Sequence, residues 1–246
     1  MANHVLLNNI EHNNLKIITR KSAGLGDNIR ATLTFPTEFR DVQSEYPIFF
    51  QKDDTTGDYQ ALAIFGFEEG QNLFLDDKGW HASYIPAIVD RGPFLIGFQT
   101  RQENGETIKE PMIHVDMDDA RVSKTDEGEP VFLEFGGNSP YLERVSRALM
   151  VINEGIEASK AMFRVFNSLD LIEPFSMDIT FAGNEQRKVS GYYTINEDKL
   201  YSLDAATLHQ LNINGFLFAA YMVIASMSNI RKLIDKRNQL LLAAAK

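Results

Sequence analysis

Cysteine is missing from all 246 residues. That excludes disulfide staples, thiolate zinc sites, iron–sulfur clusters and cysteine nucleophiles in one step. It leaves the compartment open, because a chain without thiols folds in either redox state. Basic residues are outnumbered, with 24 Lys and Arg against 34 Asp and Glu. The formal charge of −10 repels a phosphate backbone, so nucleic acid is not an expected partner. No block of Lys or Arg overrides that field. Arg231, Lys232, Lys236 and Arg237 are spread along a helical stretch, where they favour its C-terminal half.

Long apolar runs are also scarce. From Gln210 to Ile230 no residue is charged, but polar flanks confine the apolar centre to residues 216–227. A spanning helix needs about 20 mostly apolar residues, so the sequence predicts a buried core helix and no transmembrane span. Met1 to Asn14 is Asn-rich without a basic-then-apolar pattern, which predicts no signal peptide and a cytoplasmic protein. The chemical motifs are thin. Gly24-Leu25-Gly26-Asp27 lacks the third glycine of a dinucleotide loop. The acidic runs at 116–119 and 126–129 lack the ligand spacing of an EF-hand. No Gly-x-Ser-x-Gly elbow occurs.

What remains is ordinary globular material, with 44% hydrophobic and 24% charged residues. One domain over residues 1–246 is expected, β-rich over 15–135 and helix-rich over 138–246. Leu15–Thr19, Ala31–Phe35, Tyr46–Phe50, Ala61–Phe67 and Pro93–Gln99 read as strands, with Met112–Asp116 and Val131–Phe135 as weaker ones. Residues 53–58 and Asn104-Gly105 read as hairpin turns. Ser139-Pro140 opens a helix whose Leu142, Val145, Leu149, Ile152, Ile156, Phe163 and Phe166 form a stripe, with Ser159 in its one gap. Phe216, Ala220, Val223, Met227, Ile230, Ile234 and Leu241 repeat that stepping, after a short helix capped by Asp204. A hairpin near 176–195, turning at Gly183-Asn184, lies between. The expectation is an α+β fold: a largely antiparallel sheet, joined by the later hairpin, packed with two long antiparallel helices. Matched stripes between two chains would make a homo-oligomer through the C-terminal helices instead.

The richest segment runs from Tyr46 to Phe98 and holds 11 of the 26 aromatic residues. It contains Tyr46-Pro47-Ile48-Phe49-Phe50, Gly70-Gln71-Asn72-Leu73-Phe74, Trp80-His81-Ala82-Ser83-Tyr84-Ile85-Pro86-Ala87 and Arg91-Gly92-Pro93-Phe94. At these residues the chain resembles the SapC-like family of bacterial proteins, over roughly Phe35 to Arg237. Where the family has an Arg-Tyr-Pro-Phe step this chain has Gly92, so a partner contact made by an aromatic there would be lost. The resemblance implies a link to bacterial surface layers, and to halogenase-like and oxygenase-like genomic neighbours as partners. It implies no catalytic residues.

Three readings of function follow. The first is a non-catalytic binding protein that recognises a peptide, small molecule or protein through an aromatic and arginine face: Trp80, Tyr84 and Arg91, with Asn72 and Tyr46. Trp and Tyr offer a flat apolar surface with a polar edge, and Arg pairs with carboxylates. No cofactor goes with this reading. The alternative is a non-haem Fe(II) oxygenase, or an accessory subunit to one. His114 and Asp116 stand two apart on a strand, hence on one side, and His209 would complete two histidines and a carboxylate. A structural surface-layer component is a third possibility.

Overall fold

The hairpin turn at residues 53–58 illustrates how local chemistry sets the elements. Asp53 accepts hydrogen bonds from the Thr55 and Thr56 amides at 2.7 and 2.9 Å, which holds its carboxyl below the usual carboxylate range. The Asp53 amide closes the turn on the Asp58 carbonyl at 2.8 Å. The structure is a computed structural model that describes residues 3–103 and 106–244.

In chain order the elements begin with β1 (His4–Leu6), β2 (Lys16–Ile17), β3 (Ala31–Thr34), α1 (Phe39–Glu45), β4 (Ile48–Lys52) and β5 (Tyr59–Ile64). Then come β6 (Leu75–Asp76), β7 (Gly79–Trp80), α2 (Ala87–Asp90), β8 (Phe94–Glu103), β9 (Glu106–Asp116), β10 (Glu129–Pro130) and α3 (Pro140–Ser168). The chain continues through β11 (Ile172–Thr180), β12 (Gln186–Ile195), α4 (Glu197–Tyr201), α5 (Ala205–Ile213), α6 (Phe216–Ser226) and α7 (Asn229–Ala244). Antiparallel sheets with helices packed on them make this an α+β fold, as the sequence predicts. The Asn104-Gly105 turn lies outside the described residues.

Contacts divide the chain into two compact units, Met1–Lys21 with Ala87–Asn153 and Ser22–Pro86 with Glu154–Lys246. The change from β-rich to helix-rich sequence near residue 138 is not a boundary between them. Nor do the first-half strands form one sheet.

In the first unit β1, β9 and β8 form a three-stranded antiparallel sheet, and β10 pairs with β2. Ile17, Phe94, Val115, Val131, Tyr141 and Val145 are central to its core. The expected strand Val131–Phe135 is corrected. Only Glu129–Pro130 pairs as strand, and Leu133 to Gly136 is a tight turn closed by the Gly136 amide on the Leu133 carbonyl at 2.8 Å. Gly136, with a φ of 79°, supplies the left-handed conformation that stops the strand.

The second unit is built on a five-stranded antiparallel sheet in the order β11-β12-β4-β5-β3. The later hairpin joins it through Tyr193 opposite Phe50. Ser139 caps α3 as expected, its Oγ accepting from the Leu142 amide at 3.2 Å. The distal part of the α3 stripe is covered by this sheet: Phe163 meets the Phe50 ring edge-on at 5.0 Å and stacks on Tyr59 at 6.0 Å. On the second long helical run the closest helix packing is of α6 on α1 and α5, with further contacts to β4 and β12. That run, Phe216–Ala244, is long and apolar enough to cross a membrane by length and composition only. A turn at Met227-Ser228 separates α6 from α7. Here Ser226, fully buried, accepts from the Ile48 amide at 2.9 Å and donates to the Val223 carbonyl at 2.6 Å.

Candidate functional site

Of the five residues singled out in the sequence, four fall in the second unit and Arg91 in the first. Tyr46, Trp80 and Tyr84 are brought together. Tyr46 has no exposed surface and sits edge-on to Phe65 and Phe74, at 5.0 and 4.6 Å. Its hydroxyl accepts from Trp80 Nε1 at 2.8 Å and donates to the Tyr84 carbonyl at 2.6 Å. Burial pushes this hydroxyl far above the ordinary phenol range; the Trp80 bond opposes that and the nearby Glu45 charge adds to it. It is therefore a fixed donor at any physiological pH. Trp80 is half-buried, edge-on to Phe65 at 5.0 Å. The Tyr84 hydroxyl donates to Glu38 Oε2 at 2.7 Å, and Thr34 donates to the other oxygen at 2.9 Å.

Asn72 is a buried staple under the same corner. Its side-chain amide donates to the Asp27 carbonyl and its oxygen accepts from the Phe74 amide, both at 2.9 Å. That bond places Phe74 against Tyr46. These aromatics thus satisfy one another, and what they leave to a partner is the exposed part of Trp80 and Tyr84.

Arg91, half-buried at the end of α2, donates to the Phe94 carbonyl. Burial lowers its pKa; Asp119 nearby opposes this and Arg121 reinforces it. Gly92 has a φ of 55°, which explains glycine at the step where an aromatic is expected.

His114 and Asp116 lie on β9 and each has structural work. The His114 ring covers Gly97 on the neighbouring strand so closely that a Cβ at residue 97 would meet its Nε2 at 3.2 Å. Asp116 accepts from the Asn3 and Asp118 amides at 3.0 and 3.1 Å, pinning β1 and the turn after β9. His209 is exposed on α5, in the other unit. Among the described residues no group of three or more His, Asp or Glu is arranged to hold a metal ion.

A site the sequence reasoning missed lies in the second unit, between one face of the sheet and α7. A cavity of about 170 Å³ opens there. Phe49, Phe175, Met177 and Tyr192 wall it from the sheet, and Ile230 and Leu233 from the helix. Phe49 stacks on Tyr192 at 5.2 Å and tilts against Phe175 at 4.7 Å. Beside these walls the β11–β12 register slips between Phe175 and Met177, and Gly191 takes a φ of 85°. Such bulges re-aim side chains and gather near functional sites.

Most of the charge at the rim is paired, Lys188 being the lining cation without a carboxylate partner among the described residues. Arg187 bonds Glu68 at 2.7 Å and stands 3.5 Å from Glu185; Arg237 reaches the same two carboxylates at 3.2 and 3.8 Å. Arg30 pairs with Glu69 at 2.7 Å. The alternation of Phe175, Met177 and Ile179 was the available signal, and the bulge in β12 hid their partners. No curated protein and no solved structure matches the chain. A family model described as SapC matches residues 7–233, most of the chain, and on that extent the protein belongs to the SapC family.

Proposed function

We propose that this SapC-family chain is a binding protein that takes a small, largely apolar molecule into the cleft between the sheet and α7. The observation that carries this is the aromatic-walled cavity itself. A dry apolar cavity of about 150 Å³ takes up benzene, so one of about 170 Å³ suits a single ring or a short branched alkyl group. Arg187 and Arg237 share Glu68 and Glu185, which leaves Lys188 as the lining cation that a polar end of the ligand would meet. This moves the binding reading away from the Trp80 corner, whose buried polar groups are already hydrogen-bonded.

The test uses 4-fluorobenzyl alcohol as probe, followed by ¹⁹F NMR. The native protein should broaden and shift the probe signal saturably. Met177→Trp should abolish this by filling the cavity, with its melting temperature kept close to native. Equal binding by the Met177→Trp protein, or no binding by the native chain up to the probe's solubility, would reject the cleft.

A further inference from the structure

A second groove lies in the same unit on the other side of the fold, between α3 and the β3–β5 end of the sheet, with a volume of about 660 Å³. Four observations converge on it. First, the helix closes on the sheet at Gly155, where an added Cβ would meet Phe35 Cγ at 2.6 Å. Beyond that contact the space opens past Ile156, Ser159 and Phe163 toward Arg164.

Second, Ser159 Oγ, on the groove wall, is a buried side-chain atom with no hydrogen-bond partner. Buried hydroxyls are nearly always bonded, and a mid-helix serine usually bonds solvent or the carbonyl one turn back. Third, β3 stops short. Its last pair is Thr34 with Ala61, and Phe35-Pro36 then leaves the sheet. β4 still flanks Gln60 and Tyr59 on one side, while no strand among the described residues continues β3 on the other. The Phe65 amide points to the β3 side and the Ile64 amide to the β4 side. Alternation therefore directs the peptide groups of Tyr59 toward the open side. Fourth, Lys160 is paired with Glu157 at 2.8 Å, whereas Arg164 has no carboxylate partner among the described residues.

We infer that this groove binds an extended peptide, which lies beside Tyr59 and Gln60 as a continuation of β3 and presents a carboxylate to Arg164. Strand addition of this kind draws affinity from main-chain hydrogen bonds and specificity from alternate side chains. One face of the peptide would rest on Ile156 and Phe163. A peptide carbonyl supplies the acceptor that Ser159 lacks, which a purely aliphatic ligand would not. The groove is independent of the cleft at α7, so Met177→Trp leaves it unaffected.

The probe is acetyl-Val-Thr-Val-Thr-Val with a free C-terminal carboxylate, titrated into the full chain and followed by amide NMR. Signal shifts should be confined to β5 and α3, with the Tyr59 amide gaining protection from exchange. Methylating the backbone nitrogen of alternate residues should weaken binding at least tenfold. Ser159→Ala should weaken it about fivefold, the worth of one net hydrogen bond, while leaving the free protein as stable or more so. Arg164→Gln should weaken the free acid but not the C-terminal amide. Absence of shifts in β5 and α3 at millimolar peptide would overturn the inference. So would equal binding of the N-methylated peptide, or decanoate shifting the same signals with equal affinity, which would make the groove a site for simple amphiphiles.

Discussion

Gly155→Ala sets two well-known effects against each other. Alanine in a helix interior is favoured over glycine by about 1 kcal/mol, so propensity alone predicts a more stable protein. The packing predicts the reverse. A Cβ at residue 155 would lie 2.6 Å from Phe35 Cγ and 2.9 Å from Thr37 Oγ1, and nearer still to Phe35 Cβ. Phe35 is buried and belongs to the segment leaving β3, so relief requires α3 to move off the sheet or Phe35 to leave its rotamer. Overpacking of this kind costs about 1–3 kcal/mol, and here both displaced partners are anchored, so the upper half of that range applies. The net expectation is a loss of about 1–2 kcal/mol, or roughly 2–8 °C in melting temperature for a chain of this size. Urea denaturation with an unchanged m-value measures it. A Gly155→Ala protein as stable as the parent, or more so, would refute the close approach of α3 to Phe35.

Three further outcomes are expected. Tyr46→Phe removes the acceptor of Trp80 Nε1 and the donor to the Tyr84 carbonyl; with part of Trp80 open to water the cost should be about 2 kcal/mol by denaturation. A change below about 0.5 kcal/mol would mean the hydroxyl bridges nothing. Ser226→Ala strands the Ile48 amide in the core and should cost about 1–3 kcal/mol, opposite in sign to Ser159→Ala, although both replace a helical serine. Asp204 accepts from the Thr207 amide at 2.9 Å, and that bond, first among its causes, lowers its pKa. A carboxylate with a depressed folded pKa stabilises fully above its unfolded pKa, about 3.9, and its contribution fades as pH falls through the folded value. Protection of the Thr207 amide, the slowing of its exchange relative to an unstructured amide at the same pH, should therefore fall as pH drops below about 3.9 in the parent and show no such step in Asp204→Ala.

The elements legible in the sequence are those fixed by neighbours along the chain. Ser139-Pro140 announces α3 because the cap and the first turn are contiguous, and Asp53 announces its hairpin for the same reason. The assignment of β8 and β9 to one sheet and β4 and β5 to another is not legible, because it depends on which distant strands meet. Val131–Phe135 reads as strand because its apolar residues suit one; the glycine that ends it acts through φ. Tyr46 and Trp80 stand out by their density of aromatics, but composition does not distinguish a ring that offers its edge from one whose edge is already bonded. His114 reads as a ligand from a two-residue spacing, where the structure has it shielding a glycine. The α7 cleft needs residues from β4, β11, β12 and α7 at once, which no local window contains.

The discontinuity of both units has a consequence for how the chain comes into being. Ser22–Pro86 leaves the ribosome carrying β3, β4 and β5, yet β12 and α6, which pack against β4, follow about 100 residues or more later in the chain. Until then the Phe49 face has no permanent cover, although α3 can already reach Phe50 on the opposite face, and the β12 side of β4 is an open strand edge. The first unit has all its residues once Asn153 has been made, while the second must wait for nearly the whole chain. Contacts of such sequence separation fold slowly. A fragment ending before β12 would then expose a sticky half-sheet, and neither unit can be cut out as one uninterrupted piece.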